Sequence, residues 1–189
     1  MKANRAANQL RIIAGRWRGR KLAFAPAPGV RPTPNRVRET LFNWLSPCIN
    51  GARCLDLFAG SGALGVEAAS RGASRVVLVD NDAAVVTQLR EQLALLQATQ
   101  VEVVQANVGR WLAGHAEAFD VVFLDPPFRE GLLPGCMAAL DAGGWLAANA
   151  YVYIEAERHY ELVLPVGWEL LRSKHAGQVD YHLARRVSG

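Results

Sequence analysis

The chain of 189 residues is 51% hydrophobic and 20% charged, enough apolar matter for one compact core and too much for an intrinsically disordered chain. No run of eighteen apolar residues is there to cross a membrane, and the basic start MKANRAANQLRIIAGRWRGRK lacks the apolar core of a secretory signal, so a cytoplasmic protein is expected. The net charge of +4 is unevenly divided: residues 1–53 hold eleven Lys or Arg against the single acid Glu39, whereas residues 54–189 hold ten bases against sixteen acids, so a basic arm suited to a phosphate backbone precedes an acidic body.

The arm opens with two short apolar runs, Leu10 to Ala14 and Lys21 to Phe24, on either side of Gly15 and Gly19, which predict a β-hairpin. Arg16, Trp17, Arg18, Arg20 and Lys21 cluster on and beside its turn. The cations suit phosphates, and Trp17 is expected to stack on a base. The Pro-rich passage Ala25 to Pro34, which contains Arg31, is expected to be a loop. Thr33 ahead of Pro34 predicts a helix start, with the hydroxyl capping free amides and proline at the first helical position. Val37, Leu41, Trp44 and Leu45 recur at helical spacing and mark its buried stripe, with Arg36 and Arg38 outside it, and Pro47 ends the helix. The chain therefore divides into an arm and loop over 1–32 and a body over 33–189 that includes this leading helix.

From Arg53 onward strand and helix alternate. Arg53 to Phe58, Arg75 to Asp80, Val101 to Val104 and Phe119 to Asp125 are expected as strands. Ala63 to Arg71, Ala83 to Gln97, Gly109 to Gly114 and Leu132 to Ala142 are expected as the helices between and after them. Tyr151 to Ala156 follows as a fifth strand, and Trp168 to His175 with Val179 to Arg186 form an antiparallel hairpin around Gly177. Continuous apolar strands separated by helices predict an α/β fold of Rossmann-like class, with a mostly parallel seven-stranded sheet covered on both faces. Cys48, Cys54 and Cys136, like His115, His159, His175 and His182, show no ligand or disulfide spacing, so no metal is expected.

Ligands of such sheets sit beyond the carboxyl ends of the strands, at the switch point. There the sequence places Asp56, Phe58, Gly60, Gly62 and Gly65, a strand-end acid followed by a glycine turn that opens a helix. Asp80 ends the next strand, where a carboxylate can accept hydrogen bonds from ribose hydroxyls. The G-x-G-x-x-G spacing also fits a dinucleotide, whose pyrophosphate would rest on the helix amino end. Asp56 would repel that pyrophosphate and welcome an ammonium or sulfonium, so S-adenosylmethionine is preferred to a nicotinamide dinucleotide. Asn107, after the third strand of the body, can add a side-chain hydrogen bond to the adenine.

Asp125-Pro126-Pro127-Phe128 follows the next strand. Two prolines fix a rigid turn and remove two amide donors, which leaves carbonyls and the Asp125 carboxylate as acceptors. The exocyclic amine of a nucleobase is a poor nucleophile because its lone pair is delocalised into the ring. Asp125 and the Pro126 carbonyl, holding both amino hydrogens, favour pyramidalisation and aim the lone pair at a methyl carbon, while Phe128 would stack on the extruded base. Such a turn serves adenine amino groups and protein glutamine as well as guanine, and a non-catalytic assembly protein could keep the same fold for binding.

Together the segments DLFAGSGALGVEA, DPPF, GRWRGRKL and RPTPNRVRETLFNWL resemble the bacterial 16S ribosomal RNA guanine-N2 methyltransferases of the RsmD family, from about Ile12 to Arg185. The glycine turn and DPPF are shared with many methyltransferases; the arginine-rich hairpin and the helix after it are more specific. The resemblance implies the class I S-adenosylmethionine-dependent methyltransferase fold, with S-adenosylhomocysteine as product. It also implies N2 methylation of guanine 966 in the small-subunit RNA of an assembled or assembling 30S particle; a monomer is the simplest expectation, and ribosomal proteins are candidate partners. By the same resemblance Gly60 and Gly62 line the methionine portion, Asp80 holds the ribose, Asn107 the adenine, and Thr33 and Arg38 approach the cofactor carboxylate. Arg16, Trp17, Arg18, Arg20, Lys21, Arg31 and Arg36 are the candidate RNA contacts. Many methyltransferases have Asp where Asn107 stands, so an adenine amino contact there relies on the amide oxygen.

Overall fold

An antiparallel hairpin, β1 (Asn8–Arg11) with β2 (Lys21–Phe24), comes first in the computed structural model, which describes residues 8–24 and 33–187. Helix α1 (Asn35–Trp44) follows, and the alternating body consists of β3 (Arg53–Asp56), α2 (Ala63–Ser70), β4 (Arg75–Asp80), α3 (Ala83–Leu96), β5 (Val101–Gln105), α4 (Val108–Leu112), β6 (Phe119–Leu124) and α5 (Leu132–Ala142). It closes with β7 (Leu146–Glu157), β8 (Trp168–Ala176) and β9 (Val179–Arg186). Seven strands form one sheet in the order β5-β4-β3-β6-β7-β9-β8, parallel from β5 through β7 and antiparallel at the closing hairpin. Because β3 and β6 each separate two strands and are covered on both faces, their side chains are apolar on both sides, as the continuous runs predict.

Alternation along the strands sorts the core into two layers. Cys54, Val76, Leu78, Val121, Phe123 and Tyr153 pack on one face against α1, α2, α3 and the hairpin. Leu55, Val77, Val122, Leu124, Val152 and Ile154 pack on the other against α4 and α5. The expected strand at Arg53 to Phe58 stops at Asp56, because the Leu57 amide donates to the Phe123 carbonyl (3.2 Å) and the Ala59 amide to the Val79 carbonyl (2.9 Å). The chain there swings from one neighbouring strand to the other, which opens the crevice at the switch point. At β7 the pairing begins earlier than expected, at Leu146, which pairs with Phe119.

The hairpin is seated on α2, and a single carboxylate anchors it. Glu67, fully buried, accepts from the amides of Ile13 (2.9 Å) and Ala14 (3.0 Å), from Arg71 Nε (2.8 Å) and from Arg38 (3.5 Å). Those two amides serve Glu67 instead of a strand, so the first strand lies at Asn8–Arg11 and not at Leu10 to Ala14. Ser70 completes the seat: its hydroxyl donates to the Ala14 carbonyl (2.6 Å) and accepts from the Trp17 amide (3.0 Å), and its carbonyl accepts from the Arg16 amide (2.7 Å). Gly15, at φ +82°, comes so near that an added Cβ would lie 1.8 Å from the Ser70 carbonyl oxygen.

Three local expectations are corrected by this docking. Trp17 is not presented for base stacking: it is 5% exposed and packs in the core with Leu10, Ile12, Leu22 and Phe24, because the turn presses its indole inward. Arg38 lies inside the buried stripe, not outside it, with its guanidinium donating to the Arg11 carbonyl (2.8 Å) and Asn35 Oδ1 (2.6 Å) besides Glu67. Thr33 does not cap α1, whose N-cap position is Pro34; its hydroxyl donates instead to Glu155 (3.2 Å). Arg16, Arg18, Arg20, Lys21 and Arg36 are exposed as expected, while Arg31 and most of the Pro-rich passage lie outside the described residues.

Gly15→Ala is expected to destabilise the protein by about 2 kcal/mol or more, roughly 4–8 °C in Tm, since the left-handed backbone is strained and the Ser70 carbonyl cannot retreat. Thermal unfolding together with tryptic cleavage at Arg16, Arg18 and Arg20 measures this. A tip as resistant to trypsin as the wild type would refute the close docking.

Candidate active site

Register carries the core outward into a polar row. Leu78, Asp56, Phe123 and Tyr153 are partners across β4, β3, β6 and β7. Two residues further along stand Asp80 in β4, Glu155 in β7 and Asp125, the first residue after β6; Asp125 and Glu155 follow the pair Leu124–Ile154, and the charge of Glu155 acts on Asp125. Beneath them the rings of Phe42, Phe123, Tyr153, Tyr181 and Trp44 touch in sequence, with centroids 5.6–6.5 Å apart. This aromatic floor makes the surroundings of the acids poor in water.

Asp56 is 2% exposed, and its carboxylate accepts from the amides of Gly65 (3.0 Å) and Phe58. Burial pushes its pKa up to about 7, against the pull of those amides and with the aid of the negative charges at Asp80 and Glu155. Gly65 permits the contact, since a Cβ there would collide with Leu78. The glycine turn has positive φ at Gly60 (+49°) and Gly62 (+76°), and Gly62 is the N-cap of α2. Asp80 holds this turn, accepting from the Gly60 amide (2.8 Å) at one oxygen and from the Asp82 amide (2.9 Å) at the other. Each oxygen retains a lone pair for a hydroxyl donor. Asn107 is exposed at the N-cap of α4, where its amide oxygen accepts from the Arg110 amide (3.2 Å). The oxygen on which an adenine contact would rely is thus partly committed to the helix.

Asp125 directly follows β6, which stops one residue short of the expected strand, and its pKa is raised well above the usual carboxylate range by burial, then by the charges of Glu155 and Asp56. Among the described residues its carboxylate makes no hydrogen bond and no ion pair. Pro126 is buried, Pro127 exposed, and Phe128 leaves 41% of its surface open. Arg129, next in the chain, holds left-handed backbone at φ +66°, which turns the loop away from β6.

Glu155 and Tyr153 are site residues that sequence reasoning missed. The Tyr153 hydroxyl donates to Glu155 Oε1 (2.7 Å), as does Thr33 (3.2 Å), so one carboxylate oxygen ties β7 to the start of α1. Burial raises the pKa of Glu155, and these two hydroxyl donors oppose the rise. The signal available was an acid, Glu155, inside the apolar run YVYIEA. Thr33 is brought to the row by this bond, whereas Arg38 is committed to Glu67, Asn35 and Arg11, so it braces the site instead of facing a ligand.

Buried acids without a cationic partner, a glycine turn at a helix start and a strand-end acid beside it suit a nucleoside that carries positive charge near Asp56. Among the described residues no group of three His, Cys, Asp or Glu is placed to hold a metal ion, and no helix is long and apolar enough to cross a membrane.

Residues 10–185 match the family model described as conserved hypothetical protein 95. The chain is 51% identical over 179 residues to Ribosomal RNA small subunit methyltransferase D of Escherichia coli K12, covering 94% of this chain and 90% of that one. It is 45% identical over 182 residues to the protein of the same name from Haemophilus influenzae, covering 94% of each. The solved Escherichia coli methyltransferase yhhF, 51% identical, superposes with a TM-score of 0.89 over 96% of this chain and 100% of that one.

The Asp56 shift has a definite sign. Its contribution to stability is complete below the unfolded value near 3.8 and is lost as pH rises through about 7, where the buried carboxyl gives up its proton. A cationic ligand favours the ionised form, so affinity for a cationic nucleoside is expected to rise between pH 5.5 and 7, by up to about tenfold per pH unit. Calorimetry across that range measures it, and Asp56→Asn should flatten the dependence.

Proposed function

Because the chain belongs to the RsmD family, matched by the conserved hypothetical protein 95 model and by the small-subunit methyltransferases D, we propose that it methylates a guanine N2 in 16S ribosomal RNA. Guanine 966, within the 30S subunit or an assembly intermediate, is the proposed target. The observation that carries this reading is the placement of Asp125, on a proline-fixed turn directly after β6, just beyond the aromatic floor and near Asp56, whose strand leads into the glycine turn of α2.

S-adenosylmethionine held at that turn would supply a methyl carbon on cationic sulfur, a position open to in-line attack by N2 with S-adenosylhomocysteine as the leaving group. Gly60, Gly62 and Phe58 line its place, Asp80 accepts from the ribose hydroxyls, Asn107 adds its amide at the adenine, and Asp56 balances the charge. Asp125 and the Pro126 carbonyl each accept one amino hydrogen of the base, which localises the N2 lone pair and fixes its direction. The proton released after methylation passes to Asp125 or to water. Phe128, with its face exposed at the mouth, stacks on the guanine once it has left the RNA stack.

The exposed tip supplies the grip on RNA. Arg16, Arg18, Arg20 and Lys21 lie on and beside the turn that docks on Ser70 at the far end of α2, whose eight residues put about 12 Å between that end and the glycine turn. With Arg36 in the first turn of α1, these cations mark a track long enough for a folded RNA element, and Arg31 is a further candidate contact from the sequence. The protein is proposed to work as a monomer in the bacterial cytoplasm, with ribosomal proteins beside the RNA as neighbours.

Labelled-methyl transfer to 30S subunits lacking the modification, followed by nucleoside analysis, is the decisive experiment. N2-methylguanine at the target is expected; 6-methyladenine or methylated glutamine instead would overturn the assignment. Asp125→Ala should lower turnover by about a thousandfold with RNA affinity held, which separates an enzyme from a binding-only assembly factor. Neutralising Arg16, Arg18 and Arg20 together should reduce the slope of log affinity against log salt by roughly 0.7–0.9 for each phosphate no longer neutralised.

A further inference from the structure

The row of acids contains one carboxylate more than this reaction uses. Glu155 follows Ile154, the partner of Leu124, on the strand next to β6, and it lies close enough for its charge to act on Asp125, the first residue after β6. Both of its hydroxyl donors, Tyr153 and Thr33, address Oε1, which fixes the plane of the carboxyl and leaves Oε2 without a hydrogen bond among the described residues. The ion-paired acids of the described residues are Glu67, Glu117, Glu102, Glu169 and Asp141, so no described Lys or Arg neutralises Glu155 or Asp125. The space in front of the two strands is therefore bounded by acceptors, and it suits a ligand edge that carries donors at adjacent positions.

We propose that Glu155 reads the identity of the target base, its Oε2 accepting the N1–H of guanine while Asp125 accepts from the N2 amino group. This rests on the guanine reading above and adds to it a residue that excludes the alternatives. Guanine presents N1–H and N2–H side by side. Adenine presents an acceptor at N1, whose lone pair would face a carboxylate, and a glutamine amide has no second donor group beside its NH₂. A carboxylate on N1–H also raises the electron density of the N1–C2–N2 unit, which assists the weak nucleophile. Tyr153 and Thr33 act as positioning residues through their bonds to Oε1.

Reconstituted 30S particles with guanine or 1-deazaguanine at the target position test the assignment, because the deaza base keeps the amino group and loses the N1 donor. Wild-type protein is expected to lose about thirty- to a hundredfold in kcat/KM on the deaza particle. Glu155→Gln keeps an acceptor for Tyr153 and Thr33; it should lose a similar factor on guanine and less than about twofold more on the deaza base, with S-adenosylmethionine affinity by calorimetry unchanged. Tyr153→Phe, which leaves the carboxylate in place, should retain sensitivity to the deaza substitution. Losses for Glu155→Gln and 1-deazaguanine that multiply, or a Glu155→Gln protein as active as the wild type on guanine, would overturn the proposal. Wild-type protein that transfers no methyl to the guanine particle would instead remove the guanine reading on which it stands.

Discussion

Parallel register is the constraint on which this site depends. With Leu78, Asp56, Phe123 and Tyr153 aligned across four strands, Asp80 and Glu155 come two residues further along β4 and β7, and Asp125 comes directly after β6. A slip of one residue would turn each of them to the opposite face. The aromatic rings lie below, and burial holds the carboxyls of Asp56, Asp125 and Glu155 in surroundings that disfavour their charge. Such a cluster is unfavourable to the free protein and becomes favourable when a cation and amine donors fill the crevice. Stability is given up at the place where binding recovers it.

Helix α2 joins that crevice to the basic hairpin. Its first residue follows the glycine turn, while Glu67 and Ser70, one turn and two turns further on, hold the hairpin backbone. A buried ion pair such as Arg38 with Glu67 adds little net stability, because desolvation offsets most of the attraction. Here the carboxylate is also satisfied by two backbone amides and by Arg71, which selects one position for the hairpin over others. The basic tip is thereby fixed relative to the methyl-transfer crevice before any RNA is bound.

Local pattern reveals most of the architecture. The boundaries of β4 and α5 match the apolar runs residue for residue, and the closing hairpin around Gly177 differs by a single position, because buried strands and amphipathic helices impose their period on the sequence directly. The glycine turn, Asp56, Asp80 and the proline-flanked Asp125 are legible for the same reason: each is a short motif whose residues are adjacent in the chain. Trp17, Arg38 and Thr33 are misread from sequence because the deciding partner lies far away along the chain. For Trp17 it is Ser70, for Arg38 it is Glu67, and for Thr33 it is Glu155.

The amino-acid sequence by itself determined the order of strands and helices, the basic arm and the chemical character of the crevice, since these depend on side-chain type and near neighbours. Only the tertiary structure decided that the arm is docked on α2, that Arg38 braces instead of facing solvent, and that Glu155 stands next to Asp125. The physical reason is that burial and the pairing of charges are properties of surroundings, and the surroundings of β7 are set by β6, from which α5 separates it along the chain.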